Sequence, residues 1–282
     1  MVGMQHRNRM TNKRRAIAVG IAAASAAAIA AWAWHRYGPA TYVRERTMFG
    51  RARIYEVADD AGCPVRLLEV GGIVQSGTYT DDRYTELVFE YLKAYDAMFD
   101  RGIPIRRVCV LGCGGYDYPE HLIAHHDPVV VDAVEIDPAI TSIARRYFFL
   151  DRVIEEYETE ASGRLNLICS DALAHLESIE CSYDAIVNDA FDVGTPPAHL
   201  TTERFARAVS DRLNPGGLYL TNIVSAVEGP HTAFIREQVA MLERLFANVE
   251  VLPCSSDALT APDNVIVIAQ KAVAGAGSSP EE

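Results

Sequence analysis

Three carboxylates and one glycine turn each follow an apolar run in this chain: Gly112, Gly114 and Gly115 after Val108–Leu111, Glu135 after Val129–Val134, Asp171 after Leu165–Cys169, and Asp189 after Ala185–Val187. Glycines placed there let the backbone pass close to a bound nucleoside. An acid some 20 residues further on can accept hydrogen bonds from ribose hydroxyls. Glu135, 24 residues past Leu111, stands at about that spacing. The same residues also fit a plain tight turn with Glu135 as a strand-end charge. What favours chemistry is the repetition: of the four candidate strand ends, three present a carboxylate.

The elements that must hold these groups are legible from 106 onward as alternating strands and helices, the mark of a parallel sheet covered on both faces. Strands are expected at Val108–Leu111, Val129–Val134, Leu165–Cys169, Ala185–Val187, Leu218–Ile223, Val249–Leu252 and Asn264–Ala269. Helices are expected at Tyr118–His125, Ile136–Phe149, Thr201–Leu213 and His231–Phe246. In such sheets ligands collect outside the carboxyl ends of the strands. Before this region, Ala52–Val57, Val65–Val70 and Ile73–Tyr79 read as strands of a small β domain over 41–87. Tyr84–Phe99 reads as an amphipathic helix with Leu87, Tyr91, Tyr95 and Phe99 on one face. The catalytic domain is expected over 88–271, followed by a disordered tail of Ala, Gly, Ser, Pro and Glu at 272–282.

The formal charge is −12 over 282 residues. It is uneven: residues 1–53 hold ten Lys or Arg and a single acid, Glu45, so about −21 falls on the rest. Nucleic-acid binding is not expected of so acidic a body, because phosphate contacts need Lys and Arg. The acidity is compatible with a cationic substrate drawn in by the field, although an acidic surface that simply aids solubility is the commoner reason for it. The six cysteines include no Cys-x-x-Cys pair, so no metal site is expected.

Residues 1–15 are basic, and the 19 uncharged residues from Ala16 to Trp34 end in Trp32 and Trp34. That length just spans a bilayer, with tryptophans suited to its interface. A single-pass transmembrane helix over 16–38 is the reading adopted, with the catalytic domain on the cytoplasmic side; a cleaved signal peptide is the rival.

On more specific motifs the chain resembles the spermidine synthase family of aminopropyltransferases, closest to its divergent, membrane-linked branch. The resemblance covers roughly residues 50–270. It is carried by Gly71-Gly72-Ile73-Val74-Gln75, Tyr84-Thr85-Glu86, Glu135-Ile136-Asp137, Ser170-Asp171-Ala172 and the run from Tyr183 to Asp192. It implies a Rossmann-like methyltransferase fold behind a small N-terminal β domain. It implies no prosthetic group and, as co-substrate, decarboxylated S-adenosylmethionine, held by Gly112, Gly114, Glu135, Asp171, Ala172, Gln75 and Pro196. It implies Asp189 as proton acceptor with Asp192 as the second acid on a polyamine, and Tyr84 and Glu86 on the substrate. A homo-oligomer is compatible with the family's habits. The family's acid at the position of Gly115 is missing here, with Asp117 two residues on. S-adenosylmethionine-dependent methyl transfer and a non-catalytic membrane-anchored binding module are the alternatives on the same fold.

Overall fold

The computed structural model describes residues 41–59, 61–191, 196–230, 232–255 and 259–273. The basic segment 1–15, the apolar segment 16–38 and the tail from 274 onward lie outside the described residues, as does Asp192. Among the described residues no helix is long and apolar enough to cross a membrane.

Two sheets are present. The first has four strands in chain order: β1 (Thr41–Thr47), β2 (Gly50–Ala58), β3 (Pro64–Val70) and β4 (Ile73–Tyr79). The sequence pattern gave no sign of β1. A bulge between Leu68 and Glu69 shifts the β3–β4 register.

The second sheet has seven strands: β5 (Arg107–Leu111), β6 (Val130–Glu135), β7 (Leu165–Cys169), β8 (Tyr183–Asn188), β9 (Leu213–Ser225), β10 (Asn248–Pro253) and β11 (Asp263–Gln270). Their spatial order is β10-β11-β9-β8-β5-β6-β7. From β7 across to β9 the pairing is parallel, and β11 and β10 run antiparallel at the far edge. The fold is therefore α/β with a mostly parallel sheet. The chain winds outward from β5 through β6 to β7, then returns to the other side of β5 as β8. The crevice at the carboxyl ends of β5 and β8 is thus the switch point where ligands bind in such sheets.

Alternation along the strands sends side chains to two cores. Val108, Val110, Val131, Ala133, Val187 and Leu220 face one; Cys109, Leu111, Val134, Ile186, Tyr219 and Val267 face the other. Runs buried on both faces read as continuous apolar stretches, which is why these strands were visible in the sequence.

The stretch expected as a helix over Tyr84–Phe99 is different. The helix occupies only Glu90–Ala94 and continues as a 3-10 turn over Tyr95–Arg101. Upstream, the Asp81 carboxylate accepts from the Arg83 N–H and pairs with its guanidinium, and the Thr78 hydroxyl donates to the Tyr84 carbonyl. These local bonds give the backbone an alternative to the helical ladder. The helix expected over Ile136–Phe149 spans Pro138–Tyr147, capped by Asp137, and a second one follows at Leu150–Glu156.

Candidate active site

Gly112 and Asp189 meet where β5 and β8 end. The Asp189 N–H donates to the Leu111 carbonyl at 2.9 Å. Gly112 has φ +79°, and a Cβ on it would come within 2.6 Å of the Ala190 Cα. Glycine is needed here to let the two strand ends close on each other. Gly114, at φ +50°, passes equally close to the Ser76 hydroxyl of β4, which accepts from the Gly115 N–H. The first sheet is thus bonded to the glycine turn of the second.

Two cavities open at this junction, sharing Gln75, Gly112, Gly114, Asp189 and Phe191. The larger, about 360 Å³, runs along the ends of β6 and β7. Glu135, Ile136, Asp171 and Ala172 line it, with Pro197 and His199 opposite and Met48 and Phe49 at its edge. Glu135 is buried, and burial pushes its carboxyl up, against the pull of the backbone N–H groups it accepts from. Those donors are Cys113 at 3.0 Å and Asp137 at 2.9 Å, so Glu135 ties the glycine turn to the start of the next helix. Asp171 caps the helix Ala172–Ser178 through the Ala174 N–H at 2.9 Å, and its other oxygen lies 2.7 Å from His199 Nε2. Burial raises its carboxyl, but the Ala174 N–H and His199 outweigh this and leave it below the ordinary value.

The smaller cavity, about 230 Å³, lies on the other side of Asp189 and is lined by Tyr91, Tyr95, Asp117, Tyr118 and Asn222 among others. Asp189 accepts from Asn222 Nδ2 at 2.9 Å and from the Tyr91 hydroxyl at 3.2 Å. Desolvation nevertheless pushes it up to about 6. The Tyr95 hydroxyl is fully buried within electrostatic reach of Asp189 and makes no hydrogen bond of good geometry. Asp117 is buried as well, with Oδ2 accepting from the Gly77 N–H at 3.0 Å. Its Oδ1 makes no hydrogen bond of good geometry, although the Ser76 hydroxyl, which accepts from the Gly115 N–H, keeps its own proton to donate and pulls the Asp117 carboxyl down somewhat. Burial raises Asp117 to about 7, with the Asp189 charge adding to the effect. A Cβ on Gly115 would stand 2.9 Å from Asp117 Oδ1. The Asp117 carboxylate therefore fills the space into which a side chain at 115 would project.

Of the residues singled out in the sequence, the structure brings Gly112, Gly114, Glu135, Asp171, Ala172, Gln75 and Asp189 to these cavities. Asp192 lies outside the described residues. Pro196 lines a small neighbouring crevice, while the next residue, Pro197, lines the larger cavity. Tyr84 and Glu86 line neither cavity. The Tyr84 ring is buried, with its hydroxyl donating to Glu156 at 2.6 Å and the Arg152 guanidinium 3.9 Å over its face. Glu86 is exposed. Both sit in the turn-rich segment before Glu90, which is not the helix their spacing suggested. Sequence reasoning missed Tyr91, Asn222 and His199. Tyr91 was visible only as part of an apolar stripe; its hydroxyl, rather than its ring, carries the signal.

Residues 101–269 match the spermine/spermidine synthase domain. The chain belongs to the spermine/spermidine synthase family. A polyamine aminopropyltransferase of Vibrio vulnificus is 25% identical over 67% of this chain and 61% of its own length. Polyamine aminopropyltransferase 2 of Hyperthermus butylicus is 31% identical over 67% of this chain and 60% of its own. The chain thus spans about three fifths of the length of the curated relatives it matches. A crystal structure of a probable spermidine synthase from Corynebacterium glutamicum superposes with a TM-score of 0.67 at 21% identity, covering 81% of this chain and 79% of that one. That likeness shows the fold, the Rossmann-like α/β arrangement seen here.

Proposed function

We propose that this member of the family is an aminopropyltransferase. It moves an aminopropyl group from decarboxylated S-adenosylmethionine to an amine such as putrescine and releases methylthioadenosine. One observation carries the reading: Asp189, a carboxylate poised near neutrality, stands at the junction of two cavities. A two-substrate transfer needs a proton acceptor where the substrates meet.

The larger cavity takes the nucleoside. Glu135 receives the ribose hydroxyls on its remaining lone pairs, the glycine turn passes beneath the sugar, and Asp171, Ala172 and the proline wall enclose the base. The smaller cavity takes the acceptor amine, with Gln75 between the two. The amine nitrogen attacks the carbon bonded to the sulfonium sulfur. A C–N bond forms, the C–S bond breaks, and its electron pair neutralises the sulfur. Asp189 accepts the proton the amine sheds. A group titrating near the working pH suits that task, since it is largely ionised yet basic enough to take a proton. The leaving group is already good, so holding the partners in line supplies much of the rate.

Asp117 answers the missing acid at 115. It reaches the same space from two residues on, and its Oδ1, which makes no hydrogen bond of good geometry, is the atom an ammonium group entering the cavity would meet. Asp192 as the second polyamine acid, the division into a small β domain and a catalytic domain, attachment to a membrane through 16–38 and assembly into a homo-oligomer belong to the same reading and rest on the sequence.

Calorimetry on the full chain tests it, with methylthioadenosine, decarboxylated S-adenosylmethionine and S-adenosylmethionine, each with and without putrescine. Preference for the decarboxylated donor, with methylthioadenosine appearing once amine is added, is the expected result. Preference for S-adenosylmethionine, or no binding of any adenosyl thioether, overturns it.

A further inference from the structure

Behind the smaller cavity the chain assembles a second polar cluster that the transfer reaction does not use. The helix Asp117–His125 carries His121, its C-cap is His126, and the 3-10 turn facing them carries Asp96. His121 Nε2 lies 3.0 Å from Asp96 Oδ2, and His126 Nε2 lies 3.8 Å from Asp96 Oδ1. Among the described residues this is the trio of His, Cys, Asp or Glu whose ligand atoms all fall within 4.8 Å of one another. Two zinc ligands in a tetrahedral site stand about 3.3 Å apart.

The placement of His121 suits an ion. Its Nδ1 lies 3.1 Å from the Thr85 carbonyl oxygen. A carbonyl only accepts, so Nδ1 bears the proton. The ring then turns Nε2 toward a carboxylate, which also only accepts. With the ring neutral, its Nε2 lone pair faces Asp96 Oδ2 across 3.0 Å; a second ring proton would instead be donated to that carboxylate. A cation between the two atoms satisfies both, and a ligating histidine commonly donates its other ring N–H to a backbone carbonyl in this way. The remaining ligands are oriented too. Tyr118 donates to Asp96 Oδ1 at 3.1 Å, and the His126 ring stacks on Phe99 at 3.7 Å. His125 is spoken for elsewhere, 3.1 Å from the Thr85 hydroxyl.

We propose that Asp96, His121 and His126 bind one divalent transition-metal ion, zinc by its preference for imidazole with carboxylate, leaving a fourth position for water. The ion braces the 3-10 turn against the helix. Tyr95, beside Asp96, and Tyr118, bonded to it, both line the smaller cavity, so the brace stands behind the wall that the amine meets. The site is independent of the transferase reading.

The test is calorimetry and thermal unfolding of the full chain, stripped with chelator and then titrated with zinc chloride or magnesium chloride. One equivalent of Zn²⁺ should bind, with a rise in Tm, and Mg²⁺ should not. Asp96→Asn and His126→Gln, each checked for folding by circular dichroism, should weaken Zn²⁺ by about tenfold or more, while His125→Gln keeps it. No uptake by the unaltered chain overturns the proposal and leaves His121 as a doubly protonated partner of Asp96. Uptake unchanged in Asp96→Asn and His126→Gln also overturns it, placing the metal on other groups such as the cysteines.

Discussion

The two cavities at the end of β5 and β8 anchor their carboxylates by different means. In the larger one, Glu135 and Asp171 are anchored by backbone: each accepts from main-chain N–H groups, and Asp171 meets His199 as well. Their positions are set by the backbone, so that side is pre-organised before any ligand arrives. On the other side, Asp117 and the shared Asp189 are held mainly by side chains and by one backbone N–H, with the Asp189 charge raising Asp117 further, and burial lifts both toward neutrality. That side stores an unmet demand for positive charge. The difference suits one cavity to a neutral sugar and base and the other to a cation that delivers a proton.

The comparison breaks most sharply at Asp189. In Asp189→Asn, transfer should fall by about 10²–10⁴-fold, the usual reach of general-base catalysis, while calorimetry finds methylthioadenosine binding unchanged. Turnover close to that of the unaltered chain would remove Asp189 from the base role.

Asp117→Asn is expected to raise KM for the amine by about 10-fold or more, from loss of one charge-assisted bond, with a smaller change in kcat. Its effect on stability has the opposite sign. The folded-state pKa of Asp117, about 7, lies above its ordinary 3.8. The protonated acid is therefore favoured in the fold, and its contribution to stability is present below pH 4 and lost as pH rises through 7. The variant carries no such loss. Denaturant unfolding at pH 8 should find it more stable, by on the order of 2–4 kcal/mol, and the gap should close by pH 4. A variant less stable at pH 8 would mean that the carboxylate is not desolvated as described.

On the backbone-anchored side, Glu135→Gln turns an amide N–H toward a backbone donor. Methylthioadenosine affinity should fall by about tenfold, in line with losing a hydrogen bond to a charged group, with no change in the pH profile of kcat. The smallest effect belongs to Tyr84→Phe. It removes the bond to Glu156 outside both cavities and should cost about 1 kcal/mol in unfolding with kinetics unaltered. A rise in KM for the amine would return Tyr84 to the substrate side.

The contrast between the cavities also marks how far the sequence could be read. Glu135 and Asp171 sit at strand ends, where period and spacing reveal them, and their partners are backbone groups a few residues away. Asp189 was found by the same rule. Asp117 was visible but its reach was not, because it depends on the vacant Cβ position at Gly115 and on β4 pressing Ser76 and Gly77 against the turn. Tyr91 and Asn222 reach Asp189 across 98 and 33 residues of chain, a separation that no local pattern encodes. Tyr84 and Glu86 failed for the converse reason: their spacing suits a helix, but the bonds of Asp81 and Thr78 to nearby backbone hold that stretch in turns.

By itself the sequence determined the parallel sheet, since strands buried on both faces must be written as apolar runs, and it determined which carboxylates stand at the ends of those strands. The tertiary structure alone decided which acids share a cavity, which keep an oxygen without a hydrogen bond of good geometry and which titrate near neutrality. Those properties arise from desolvation and from contacts between distant segments, and neither exists until the two sheets have closed on the glycine turn.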